Sequence, residues 1–145
     1  MIPPDAVLLQ SESSSKAAII AEVLEMLPSV DPDQAMAVVM EREKLGSTGI
    51  GHGIAIPHGR MADLDAPLTA LARHHEGVSF DAIDGKPVHI VVVLLAPENS
   101  DKSHLDLLAG LARALQQESV RRAIMAAETT EEIAALFAKP AAQTV

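Results

Sequence analysis

Apolar residues at Ile20, Val23, Leu24 and Leu27 recur at helical spacing behind the serine run Ser13-Ser14-Ser15. That pattern predicts an amphipathic helix, with the serines as caps and Pro28 as its stop. A second helix opens at Asp31-Pro32-Asp33-Gln34, which sets an acceptor side chain at the cap, proline at the first helical position and glutamine at the third. It should run to Leu45, with Gly46 as a left-handed exit. The period then changes. Leu68 to Arg73 reads as a strand, ending at a solvated His74-His75 edge; Gly77 to Ala82 follows, and Asp84-Gly85 makes a turn. Pro87 to Ala96 is a β-branched and aliphatic run without alternation, the mark of a strand buried on both faces, and Pro97 ends it. The remainder is helical. Leu105, Leu108, Ala112 and Leu115 form one stripe, and Val120, Ala123, Ile124 and Ala127 another. Thr129 and Glu132 form a capping box ahead of Ile133, Leu136 and Phe137, and residues 140–145 should fray.

Two helices, then strands, then helices describe one α/β sandwich over residues 1–145, a mixed β-sheet flanked by helices on both faces. Length and composition agree. A chain of 145 residues with 48% hydrophobic residues buries a core without staples, and with no Trp or Tyr and only Phe80 and Phe137 that core is aliphatic. Twenty acidic against 11 basic residues give a net charge of −9, which repels a nucleic acid. The absence of Cys removes disulfides, thiol nucleophiles and cysteine metal sites together. The N-terminus has no signal-peptide pattern, and the longest apolar run, Ile90 to Ala96, is far shorter than the roughly 18 to 20 residues a membrane helix needs. A cytoplasmic protein without membrane insertion is expected.

The candidate chemistry lies between Arg42 and Arg60, in REKLGSTGIGHGIAIPHGR. Four glycines, Gly46, Gly49, Gly51 and Gly53, precede Ile54-Ala55-Ile56, and His58 is then presented between Pro57 and Gly59. Imidazole is an effective neutral nucleophile near physiological pH, and a histidine on such a turn has no bulky neighbour to block a large partner. The glycines either form an anion nest, with Ser47 and Thr48 adding hydroxyl donors and Gly59 a further phosphate contact, or simply make tight turns between a helix and a strand. Arg42 and Arg60 bracket the stretch with guanidinium groups suited to phosphate oxygens. His104, in Ser103-His104-Leu105-Asp106, reads from its position as an exposed first-turn residue. His52 sits among the glycines, and His89 is a hydrogen-bonded residue within a buried strand. Ile50, Ile54 and Met61 make a plausible apolar docking patch around His58.

The run STGIGHGIAIPHG, with GVSFDAIDGKPVHIVVVLLAP and SHLDLLAGLARAL, closely resembles the IIA domain of the fructose/mannitol type in the bacterial phosphoenolpyruvate phosphotransferase system, and most of all the free-standing nitrogen-regulatory IIA proteins. The likeness covers nearly the whole chain. It implies that His58 is the phosphoacceptor, charged by an HPr-type phosphohistidine protein. It implies further that Arg42 and His104 stand beside the phosphohistidine, that no cofactor or metal is needed, and that the partners downstream are regulatory targets or a IIB component. A sugar-transport IIA shares the same acceptor motif.

Two readings from other classes compete. One is a metal-dependent hydrolase using His52, His58 and Asp63; the other is a module that binds partners through the glycine-rich face without covalent chemistry. No HxxxH or HEXXH spacing supports the first, and the near-full-length likeness weighs against the second.

Overall fold

The computed structural model describes residues 2–28, 30–82, 84–99 and 102–137, so the expected frayed end lies outside the described residues. A 3-10 turn at Pro4–Ala6 leads into β1 (Val7–Leu8). Then come α1 (Lys16–Leu24), α2 (Pro32–Leu45), β2 (Gly49–Gly51), β3 (Ile54–Ala55), β4 (His58–Met61), β5 (Leu68–Val78) and β6 (Val88–Pro97). Three helices follow: α3 (Lys102–Leu115), α4 (Glu118–Ala126) and α5 (Thr130–Leu136).

The caps are those the sequence specifies. The Ser15 hydroxyl accepts from Ala18 N at 3.2 Å, the Asp31 carboxylate from Asp33 N at 3.0 Å, and the Thr129 hydroxyl from Glu132 N at 3.2 Å. Gly46 does close α2, but with φ 158° and ψ 148° it is extended rather than left-handed.

The six strands form one sheet in the order β1-β5-β6-β3-β2, with β4 also on β6. Its pairings are mixed: β1 runs parallel to β5, β5 antiparallel to β6, β3 and β4 parallel to β6, and β2 antiparallel to β3. β3 and β4 are one strand in two pieces. Ile54 stands opposite Ile90 and His58 opposite Leu94, the same register on both sides of Ile56-Pro57. Pro57 has no N–H to give the ladder, yet its carbonyl still accepts from Leu94 N at 3.0 Å, so the strand pauses without slipping.

β6 is the centre of the molecule and is covered on both sides, as its unalternating sequence predicts. Val91, Val93 and Leu95 pack with Ala55, Ala70 and Ala72 against α1 and α2. Ile90, Val92 and Leu94 pack with Ile54, Ile56 and Leu71 against α3, α4 and α5. The two phenylalanines divide between the layers, Phe80 in the first and Phe137 in the second.

Two sequence expectations change. The strand read as ending at Arg73 continues to Val78 through a register shift between those residues. His74 is not a solvated edge but is buried there: its Nε2 donates to Ser13 O at 2.8 Å, and its Nδ1 accepts from Gly77 N at 2.9 Å. A side chain thus supplies the partners that the bulge takes from the ladder, which local propensity does not reveal. Secondly, the inward stripe of α3 runs through His104, Leu111 and Leu115, all buried, while Leu105 is 58% exposed. Of the expected stripe, Leu115 is buried and Leu108 and Ala112 pack against the core, so only Leu105 is misplaced, and His104 takes the inward position in the first turn instead.

Candidate functional site

His58 is the first residue of β4, half-buried, with Nδ1 2.7 Å from the carbonyl oxygen of Ile56. A carbonyl only accepts, so Nδ1 carries the proton and the lone pair of the neutral ring is on Nε2. The Ile56 carbonyl is available because of the local fold. Ile56 N–H points away from β6 and donates to Thr48 O at 3.1 Å. Its C=O points to the same side, beyond the end of β2, where His58 reaches it.

The imidazole of His104 lies with its centroid 5.9 Å from that of His58, the planes tilted by 50°. Its Nδ1 is buried and has no hydrogen-bond partner among the described residues. Such an orphan is costly unless a ligand satisfies it. Burial holds the pKa of both rings below the usual 6.5. For His58 the bond to Ile56 pulls upward, the Arg42 charge reinforces the fall and Glu43 opposes it. For His104 the charges of Arg60 and His58 add to the effect of burial.

Arg42 stands in the last turn of α2, half-buried, its Nη1 donating to Gly46 O at 3.0 Å. Arg60 is exposed on β4, two residues beyond His58 and so on the same side of the strand. Sequence adjacency recommended Arg60 and the family resemblance lowered it; in the fold both arginines act electrostatically on the imidazole pair.

The remaining candidates sit as follows. The Ser47 hydroxyl donates to Phe80 O at 2.5 Å and accepts from Gly49 N at 3.0 Å. Thr48 is buried, with its hydroxyl and its N–H both directed at Glu43. Both hydroxyls are thus committed within the protein. A Cβ at Gly59 would lie 2.4 Å from Val38 Cγ1, so this glycine allows α2 to close against β4 beside His58.

The glycine run makes a tight turn, but between two strands rather than between the helix and a strand. His52 and Gly53, with φ 58° and 79°, are the central pair of a two-residue turn joining β2 to β3. A Cβ at Gly49 would lie 2.8 Å from the Cβ of Ala82, so this glycine lets β2 pass close to that residue. The hairpin tip places His52 in a cleft of about 540 Å³ with His75, His89 and Arg121, at the starting end of β6 and away from His58. Asp63 lines a different, smaller cleft with Arg60 and Val38. Among the described residues no three His, Asp or Glu side chains gather as a metal site. The expected apolar patch is not realised as read: Ile54 and Met61 are buried and Ile50 is half-buried, while among the described residues the exposed large apolar side chains are Leu45, Leu105 and Leu136.

Glu43 was missed by sequence reasoning. It is 6% exposed and accepts from Lys16 Nζ at 2.9 Å as well as from Thr48. A signal was present, since Ala35, Val39 and Glu43 follow one another at i, i+4 spacing and all three are buried.

Comparison with known proteins gives one answer. Residues 1–139 match the family described as phosphoenolpyruvate-dependent sugar phosphotransferase system, EIIA 2. The chain is 36% identical over 137 residues to a nitrogen regulatory protein of Pseudomonas aeruginosa, covering 92% of this chain and 89% of the relative. It is 32% identical over 141 residues to the fructose-specific EIIA component of Haloferax volcanii, covering 94% and 92%. Among solved structures, nitrogen regulatory protein IIA-Ntr from Neisseria meningitidis superposes with a TM-score of 0.88 at 39% identity, over 93% of this chain and 94% of that one. The mannitol IIA of Escherichia coli gives 0.80 at 25%, over 95% and 99%.

Proposed function

This chain belongs to the EIIA 2 family of the phosphoenolpyruvate-dependent sugar phosphotransferase system, and on that premise we propose that it is a phosphoryl carrier whose acceptor is Nε2 of His58, charged by an HPr-type phosphohistidine protein. The observation that carries this reading is the bond from His58 Nδ1 to the Ile56 carbonyl, which leaves the nucleophilic lone pair on Nε2 next to a histidine with an unsatisfied buried nitrogen.

In the transfer step the Nε2 lone pair of His58 attacks the phosphorus of the donor's phosphoimidazole. The new N–P bond forms as the donor's N–P bond breaks, and that electron pair returns to the donor nitrogen. The proton stays on Nδ1 of His58, hydrogen-bonded to the Ile56 carbonyl throughout, so no base is required. One N–P bond replaces another, and the protein's task is alignment and charge neutralisation. Arg42 and Arg60 offset the phosphoryl charge, and His104 offers Nδ1–H to one phosphoryl oxygen.

The charge change of roughly −1.5 to −2 on phosphorylation, by analogy with other phosphorylated side chains, is how such a carrier selects regulatory partners. Likeness to nitrogen regulatory proteins from several bacteria favours the regulatory role. Likeness to fructose- and mannitol-type IIA proteins keeps delivery to a IIB component as the second reading. No helix among the described residues is long and apolar enough to cross a membrane.

The test is to incubate the protein with phosphoenolpyruvate, enzyme I and HPr and to weigh it intact. An acid-labile phosphoryl adduct is expected on the wild-type chain and is expected to vanish in His58→Gln. A folded wild-type chain that gains no mass from matched carriers overturns the reading.

A further inference from the structure

The hydrogen bonds behind His58 form an unbroken path that starts at a buried carboxylate. Glu43, on α2, accepts from Lys16 Nζ of α1 at 2.9 Å, from Thr48 N at 3.2 Å, and in a very short bond from the Thr48 hydroxyl. Thr48 offers its carbonyl to Ile56 N at 3.1 Å, and Ile56 offers its carbonyl to His58 Nδ1 at 2.7 Å. We infer that Glu43 and Thr48 are positioning residues, which fix the Nδ1–H tautomer and the aim of the His58 ring through Ile56. This rests on the phosphocarrier reading above and adds residues that act through another group rather than on the phosphoryl group itself.

Three features make the path more than loop packing. Glu43 is buried, so an ionised carboxylate there needs its full set of donors, and these come from Lys16 and both polar groups of Thr48. The path ends where the ladder is interrupted: Pro57 supplies no N–H, and among the described residues the Ile56 carbonyl accepts from the imidazole of His58. Finally, the Glu43 charge acts directly on His58, against that of Arg42, its neighbour on α2. The adjacent pair therefore divides the work. Arg42 faces the incoming charge, and Glu43 holds the strand from which the nucleophile is presented.

This assigns Thr48 a different task from direct phosphate contact. Its hydroxyl proton is spent on Glu43, so substituting it should disturb the orientation of His58 rather than the affinity for the donor.

The experiment compares Glu43→Gln, Thr48→Val and Thr48→Ser with the wild type, each first checked for a native amide spectrum. Imidazole nitrogen NMR reads the tautomer of His58, and rapid-quench kinetics with phosphorylated HPr reads kcat, KM and their pH dependence. Expected are a wild-type ring held as Nδ1–H, and a mixed tautomer in Glu43→Gln and Thr48→Val with kcat lower by about tenfold at nearly unchanged KM. Thr48→Ser, which keeps the hydroxyl, should restore both. In Glu43→Gln the midpoint of the rate profile should also fall, since the carboxylate that raises the His58 pKa is gone. Should Glu43→Gln fail to fold, Thr48→Val decides alone, because the backbone bond to Glu43 survives in it. An unchanged tautomer with kcat within about twofold of wild type in a folded Thr48→Val overturns the inference. Absence of a phosphoryl adduct on the wild type would instead sink the carrier reading, and the tautomer measurement would still decide this one.

Discussion

At the scale of single residues the proposed acceptor requires an imidazole kept neutral and aimed. Burial lowers the pKa of His58 and of His104, and for the latter the neighbouring Arg60 lowers it further. Both rings are therefore expected to titrate below 6.5, which NMR of the ring protons against pH would read directly. The consequence for stability has a definite sign. The unfolded chain binds these protons near 6.5 and the folded chain only at lower pH, so between those points unfolding takes up protons and stability rises with pH. The contribution is complete above 6.5 and is lost as pH falls through the lowered folded values. The thermal midpoint should decline on acidification from about pH 7 to about pH 5, with a shallower slope in His104→Asn. Midpoints at or above 6.5 for both rings would contradict this. His58 was legible in the sequence because proline and glycine on either side announce a presented side chain. His104 was not, because periodicity assigned the inward place in the first turn of α3 to Leu105, and the family resemblance rather than periodicity pointed to His104.

At the scale of elements, the break between β3 and β4 does the positioning. It holds register with β6 on both sides of Ile56-Pro57, so His58 inherits the rigidity of a central strand while standing at a gap in the ladder. α2 must come very close to supply Arg42 and Glu43, and Gly59 makes the room. Gly59→Ala would drive a methyl to 2.4 Å from Val38 Cγ1, a contact that forces α2 or β4 to move. The expected cost is about 1–3 kcal/mol in urea unfolding, partly recovered in the double variant with Val38→Ala. An unchanged midpoint would show that α2 is not seated as described. The helices and the doubly buried β6 followed from pattern alone, because caps and periodicity are local signals. The continuation of β5 did not, since its bulge is held by His74 and by the strand-to-loop bond to Ser13, a long-range contact. Arg73 escaped for the same reason. It is buried, and its guanidinium caps the end of α4 through the carbonyls of Ile124 and Ala127 at 2.8 and 2.7 Å, partners far along the chain.

At the scale of the molecule, the sheet separates two aliphatic layers, and the imidazole pair joins them. Arg42 and Glu43 come from the α1/α2 side, and His104 comes from the α3 side. A chain with net charge −9 thus sets two arginines beside the imidazole pair, a local excess of positive charge that suits the phosphoryl group of the proposed transfer. The proposed acceptor atom is Nε2 of His58, because Nδ1 is held by the Ile56 carbonyl. Nitrogen NMR of the chain phosphorylated by HPr identifies that atom without reference to rates. The expected spectrum is a phosphohistidine at position 58 with phosphorus on Nε2 and the proton retained on Nδ1. Phosphorus on Nδ1, or on any other histidine, would contradict it.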